Sequence, residues 1–245
     1  MNKNLLKENE SLDDLECKGL KLIQNKNGYK FSTDSVLLAN FAKGKQTDRY
    51  VDLCSGSGVV AILFACKNNI KDAYAVEIQG DLADMCRRSL EYNNLENIKV
   101  LNIDLSKTHE VLGNESIDVV TINPPYNEQG KTSNMSQIAM ATHEISTNIN
   151  EICMECFKLL KFGGKLFMVH RADRLVDILF CLRQNKLEPK VIRIIYPKAN
   201  KQPNLVLIEA KKGAKKGIKF IDPLIITNDD GSESDETKKI YNRNI

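Results

Sequence analysis

Arg49-Tyr50-Val51-Asp52-Leu53-Cys54-Ser55-Gly56-Ser57-Gly58 reads as a short buried strand running into a glycine-rich turn, and Val59 to Lys67 follows as a helix. The same order recurs outward from it. Ala73 to Glu77 is a second strand and Gln79 to Asn93 a second helix; Ile98 to Ile103 and Ile117 to Ile122 are the third and fourth strands. After a polar loop, a helix runs from about Ile149 to Leu160, ended by Gly163-Gly164, and Lys165 to His170 is the fifth strand. Leu175 to Asn185 is helical, and Lys190 to Tyr196 and Leu205 to Glu209 are two strands with only Pro197 to Asn204 between them. Upstream, Ser32-Thr33-Asp34 is a polar helix start before Val36-Leu37-Leu38-Ala39. Strands that alternate with helices imply an α/β fold, a parallel sheet covered on both faces. The last connection is too short for a crossover helix, so it is an antiparallel hairpin, the last pair of a seven-stranded sheet. Polar residues 1–12 are expected to be flexible, 13–227 to form a single domain, and the acidic segment 228–245 to be disordered.

Composition narrows the class. The chain has 245 residues, 42% of them hydrophobic, enough for one large core. No run reaches the ~18 apolar residues of a membrane span, and the start has too short an apolar stretch for a signal peptide. Seven cysteines, an odd number, argue for a reducing, cytoplasmic setting rather than a disulfide framework. Cys153 and Cys156 form a lone C-x-x-C within a helix, with no second pair or nearby histidine, so core packing is expected and no metal site. Charge is uneven: residues 1–156 carry 16 Lys+Arg against 22 Asp+Glu, residues 157–220 carry 16 against 4, and residues 221–245 carry 3 against 6. The basic segment, with Lys211-Lys212-Gly213-Ala214-Lys215-Lys216, points to a polyanionic partner such as nucleic acid.

A doubly wound sheet binds ligands at the carboxyl ends of its strands. After the first strand, the turn glycines let a ligand approach the backbone. Glu77 ends the second strand, 19 residues beyond Gly58, where a carboxylate accepts from ribose hydroxyls. Gly56-x-Gly58-x-x-Ala61 also matches a dinucleotide fingerprint. Asp52 separates the two readings, since a carboxylate at the mouth of the turn opposes a pyrophosphate and favours a cationic amino group and sulfonium. Asp104, after the third strand, is placed to accept from an adenine amino group. Each alone is as readily a cap or turn residue; together they describe an adenosyl amino acid.

Asp52 to Gly58, Glu77 and Asp104 resemble the cofactor motifs of class I S-adenosylmethionine-dependent methyltransferases, a Rossmann-like family whose seven-stranded, mostly parallel sheet ends in an antiparallel hairpin. Cys54 departs from the glycine usual there and gives up backbone freedom. The candidate cofactor set is Thr33, Asp52, Cys54, Ser55, Gly56, Gly58, Glu77, Ile78, Asp104 and Asn123, with S-adenosyl-L-homocysteine as the product.

The fourth strand ends in Asn123-Pro124-Pro125-Tyr126. An exocyclic aromatic amine is a poor nucleophile because its lone pair is delocalised. The Asn123 side-chain carbonyl and the Pro124 backbone carbonyl can each accept one amine N–H and aim the lone pair, while Pro125 removes a competing N–H and the Tyr126 ring stacks on the base. A proline turn capping a strand is the bland alternative. The motif is similar to that of amino-methyltransferases acting on adenine N6, guanine N2, cytosine N4 or glutamine amides. Asp13-Asp14-Leu15, Gly19 to Gln24, Phe31 to Leu38, Thr142-His143-Glu144 and Val169 to Leu175 look like bacterial tRNA adenine-N6 methyltransferases that modify valine tRNA beside the anticodon. That likeness implies that Phe31 to Val36 lines the cofactor pocket and that the partner is RNA, a tRNA. Candidate RNA contacts are Lys131, in the 127–147 loop, and His143, Arg171, Lys198, Lys201 and Lys212; a monomer is expected. Competing readings are a protein glutamine N5 methyltransferase, a guanine-N2 RNA methyltransferase, a dinucleotide oxidoreductase and a non-catalytic RNA-binding protein. The first usually carries an amino-terminal helical domain, for which the roughly 48 residues before the first strand are too few.

Overall fold

The computed structural model describes residues 5–28, 31–125 and 149–243. Its centre is a sheet built from β3 (Arg49–Leu53), β4 (Asp72–Val76), β5 (Ile98–Leu101), β6 (Ile117–Ile122), β7 (Leu160–Arg171), β8 (Leu187–Lys198) and β9 (Leu205–Lys212). The spatial order is β8-β9-β7-β6-β3-β4-β5, with β3 to β7 parallel and β9 antiparallel to both its neighbours. The antiparallel hairpin is therefore where the short connection required it. Two further strands, β10 (Lys219–Phe220) and β11 (Leu224–Thr227), pair in parallel with β8, so the sheet has nine strands rather than seven. They shield part of the edge that β8 would otherwise present bare.

Strand periodicity divides the core. Tyr50, Ala73, Ala75, Val119 and Phe167 pack on one face against α1 (Thr33–Phe41), α2 (Val59–Asn68) and α3 (Gly80–Tyr92). Val51, Leu53, Val76, Val120 and Met168 pack on the other against α4 (Thr108–Leu112), α5 (Ile149–Leu159) and α6 (Leu175–Gln184). Each fully buried aliphatic side chain contributes about 1.5–3 kcal/mol. Cys153 and Cys156 are buried in α5 among these residues, and all seven cysteines are free thiols. Among the described residues no helix is long and apolar enough to cross a membrane.

Three expectations need correction. Gly163-Gly164 does not end a helix: α5 stops at Leu159, and the glycines lie in a bulge of β7, where Ile117 pairs with Leu160 but Val119 with Lys165. Residues 5–12 are not loose. β1 (Glu10–Asp14) pairs antiparallel with β2 (Lys21–Asn25), and this hairpin is riveted to α3. Arg88 clasps both oxygens of Glu10 at 2.5 and 2.6 Å, and Ser89 Oγ accepts from Ile23 N at 2.9 Å. The segment 228–243 is docked as well. Ser234 Oγ caps α7 (Asp235–Ile240), Arg193 binds Glu236, and Arg243 bridges Glu16 and Glu233. Glu236 meets the distant Arg193, Arg243 of the segment reaches back to Glu16, and Ile240 and Tyr241 pack on the α1 side of the core.

The Glu10–Arg88 pair is nearly enclosed, and the guanidinium holds the Glu10 carboxyl below its usual range. Arg88→Met strands that carboxylate and is expected to cost about 3 kcal/mol in urea unfolding at neutral pH. A depressed carboxyl stabilises above the unfolded carboxylate range and loses that contribution as pH falls through its folded value. The difference between wild type and variant is therefore expected to shrink on acidification towards pH ~3; a gap that is constant with pH would contradict this assignment.

Candidate active site

Parallel register lines up the ends of four strands. Leu53 pairs with Val76 and Ile122, and Val76 with Leu101. The next residues, Cys54, Glu77, Asn102 and Asn123, therefore leave the sheet at one level. Each follows an apolar strand whose side chains are consumed by the core, so the first polar residue after it opens onto the edge.

The turn after β3 is built around left-handed backbone. Cys54 has φ +54°, Gly56 +57° and Gly58 +95°. A non-glycine residue there costs about 1–2 kcal/mol, so Cys54 is strained where glycine would not be. Gly58 is required for a second reason: a Cβ on it would lie 2.4 Å from Cys86 Sγ of α3. A Cβ on Gly56 would meet nothing within 4 Å, so that part of the turn faces open space.

Glu77, 5% exposed, spans two turns: Oε2 accepts from Gly56 N at 2.8 Å and Oε1 from Gln79 N at 2.9 Å. Burial raises its pKa, and the backbone donors oppose that shift. Ile78 beside it is 41% exposed. Asn102 Nδ2 donates to the carbonyls of Glu77 and Ile78 at 2.8 and 2.9 Å, fixing that turn. Asp104 Oδ1 caps the following turn through Ser106 N and Oγ, both 2.8 Å away.

Asp52 is 1% exposed. Thr121 Oγ1 donates to its Oδ1 at 2.6 Å, and the Tyr50 hydroxyl lies 2.6 Å from that same Thr121 oxygen. Burial pushes the Asp52 carboxyl up to about 7. Burial likewise pushes the Cys54 thiol up, and the charges of Glu77, Asp52 and Asp104 all reach it. The turn is thus a focus of negative potential.

Asn123 Nδ2 donates to Ser35 Oγ of α1 at 3.1 Å, which ties the end of β6 to the first turn of that helix. Pro124 is buried and Pro125 half-buried behind it. Thr33, at the start of α1, is exposed and hydrogen-bonds Tyr241. Among the described residues, three buried polar atoms here have no hydrogen-bond partner, Asp52 Oδ2, Ser55 Oγ and, before α1, Ser32 Oγ, although the Ala61 N–H at the start of α2 also favours the charged Asp52. Such atoms call for a ligand or water that satisfies them. A ligand with hydroxyls and a cationic amino group fits them, together with the open face of Gly56.

Most of the sequence-derived set therefore converges on one edge. Tyr126, Lys131 and His143 lie outside the described residues. Arg171, closing β7 and paired with Asp173 at 2.6 Å, and Lys198 and Lys201, at and beyond the end of β8, stand on the same edge. Lys212 does not. It is 5% exposed at the opposite edge, its ammonium donating to Glu115 Oε1 and to the carbonyls of Phe157 and Leu160 at 2.7–2.9 Å. A buried, fully bonded lysine is structural, so its expected RNA contact is withdrawn. Ser35, Asn102 and Thr121 carry roles that were not foreseen. Thr121 left one trace, a lone hydroxyl in the otherwise apolar Val119-Val120-Thr121-Ile122. Among the described residues no group of three or more His, Cys, Asp or Glu side chains is placed to hold a metal.

Residues 30–179 match the family model for the methyltransferase small domain. A tRNA1(Val) (adenine(37)-N6)-methyltransferase of Shewanella putrefaciens is 25% identical over 181 residues, 72% of this chain and 71% of that protein. Proteins of the same description from Porphyromonas gingivalis (24% over 187 residues, 74% and 73%) and a Shewanella species (24% over 238 residues, 94% and 95%) are also similar. Among solved structures, a predicted O-methyltransferase from Agrobacterium tumefaciens superposes with a TM-score of 0.71 at 20% identity, over 86% of this chain and 96% of that one. An M. jannaschii protein in complex with AdoMet gives 0.60 at 16%, over 84% and 86%. The family model spans more than half of the sequence and includes the turn, Glu77 and Asn123, and the chain belongs to the methyltransferase small domain family.

Proposed function

We propose that this chain transfers a methyl group from S-adenosylmethionine to the exocyclic N6 of an adenine in RNA, a tRNA near its anticodon. The observation that carries the reading is Asn123-Pro124-Pro125 at the end of β6, level with Glu77 and Cys54 and anchored through Ser35. An amide and a proline carbonyl beside an adenosyl site suit an amine nucleophile. The similar tRNA1(Val) (adenine(37)-N6)-methyltransferases favour adenine in tRNA over guanine N2 or a glutamine amide.

S-adenosylmethionine, when bound, supplies an electrophilic methyl on a sulfonium. Asp52 Oδ2 would hold the amino group of the cofactor and Glu77 its ribose hydroxyls. The Gly56 to Gly58 turn would admit it closely, Ile78 would cover its adenine, and Asp104 would accept from the adenine amino group. Asn123 Oδ1 and the Pro124 carbonyl accept the two N–H groups of the target amine and turn its lone pair towards the methyl. Methyl transfer would exchange the S–C bond for an N–C bond, and the nitrogen proton, acidic once the amine is cationic, would pass to solvent. Catalysis is chiefly positioning and polar complementarity. Tyr126 is assigned to stacking on the base. Arg171, Lys198 and Lys201 line the same edge, where RNA phosphates would pass. His170, drawn down to about 4 by burial, is neutral at physiological pH and adds no charge.

Asn123→Ala is expected to lower kcat by about 10²-fold or more, read as labelled methyl in bulk tRNA followed by nucleoside analysis, with adenosylhomocysteine still bound. Full rate in that variant would sink the mechanism, and labelled guanosine or protein would overturn the adenine assignment. Adenosylhomocysteine affinity is expected to fall as pH drops below about 7, because protonation of Asp52 removes the anion its amino group needs. Asp52→Asn should bind more weakly and flatten that profile. A wild-type profile that is already flat would remove Asp52 from the cofactor site.

A further inference from the structure

The basic segment is not one surface. β9 runs antiparallel to β7, so Arg171 pairs with Leu205 at the active-site edge while Lys165 pairs with Lys211 at the other. Most of the lysine cluster at 211–216 therefore lies at the far end of the sheet. Ile117, level with Leu160, is six residues before Asn123, a rise of about 20 Å.

Two features make this far end unusual. The β7 bulge carries Phe162 out of the sheet until it is 80% exposed. Its ring is seated on Gly213, φ +72°, where a Cβ would come within 2.1 Å of the ring. The bulge and the glycine together hold an aromatic face against the lysine cluster. Around it, the acids are already paired: Asp118 with Lys161, Glu209 with Lys165, Glu115 with Lys212 and Glu188 with Arg183. Lys211, Lys215 and Lys216 make no ion pair with any described residue, and the last two are exposed. Lys190 fixes the loop by donating to the carbonyls of Lys215 and Gly217 at 2.9 and 2.6 Å.

We propose that Phe162, Lys211, Lys215 and Lys216 form a second RNA-docking surface, at the sheet edge opposite the methyl-transfer site. It rests on the reading of RNA as substrate. Uncompensated ammonium groups bind phosphates, and an exposed ring beside them stacks on an unpaired base. A span of about 20 Å corresponds to roughly six nucleotides of a helical strand, so one structured RNA can touch both edges. A single-stranded fragment held only at the active site cannot.

The test is binding of labelled full-length tRNA to the whole protein across a salt series. Lys215→Glu/Lys216→Glu is expected to weaken binding at least tenfold and to make the log–log salt slope shallower by about two, roughly one for each phosphate no longer neutralised. Lys215→Gln/Lys216→Gln should give a smaller loss in the same direction, and Phe162→Ala a severalfold loss with the slope retained. Adenosylhomocysteine affinity and kcat at saturating tRNA should be unchanged, which also shows that the variants fold. Variants with wild-type tRNA affinity and slope would overturn the surface and leave it to another partner, such as an acidic protein. Wild-type protein without salt-dependent tRNA binding would overturn it as well. If wild type binds tRNA in this manner but incorporates no methyl, the docking surface stands and the proposed function falls.

Discussion

The buried Glu77 carboxylate joins the turn after β3 to the turn after β4, and the shape of the site depends on that link. One oxygen holds Gly56 N and the other Gln79 N. An ionised group so little exposed is costly to desolvate, and backbone donors offset the cost only in this geometry. The turn is thereby fixed before any ligand arrives. Asn102 adds a brace through the carbonyls of Glu77 and Ile78, so three strand ends move as one unit. Preorganised polar groups of this kind act without reorganisation during the reaction.

Stability is given up around the same point. Among the described residues Asp52 Oδ2 and Ser55 Oγ are buried with no hydrogen-bond partner, and Cys54 holds a left-handed conformation. The hydrophobic layers on both faces of the sheet carry that cost. The distribution fits strands that end on an apolar residue, Leu53, Val76, Leu101 or Ile122, with the site's residues immediately after it. Local rules fail where a ligand is to be met.

The order of strands and helices was legible because each apolar strand is bounded by turn residues: β3 and β6 have the limits that the sequence implies. The residues that end those strands were legible for the same reason. What was not legible depends on partners far along the chain. β1 is polar in sequence and exists because Arg88 answers Glu10 from 78 residues away. The acidic run near the end reads as disorder until Arg193 is brought to Glu236 and Glu16 to Arg243. Thr121 meets Asp52 only through the parallel register. Lys212 reads as one of a solvent-facing cluster, but as the last residue of β9 it turns into the core and binds the carbonyls at the end of α5. Counting charge by segment merged two edges that the antiparallel strand holds apart.

The family assignment supports methyl transfer; in the proposed reading Asp52 and Glu77 hold the cofactor and Asn123 the amine. Crystallographic determination of this protein with adenosylhomocysteine tests that geometry most directly. The account requires the ribose hydroxyls on Glu77, the amino group on Asp52 Oδ2, and the sulfur facing Asn123 across the end of β6, each polar contact near 3 Å. A ligand seated elsewhere, or one that leaves Glu77 and Asp52 without contact to it, would contradict the account.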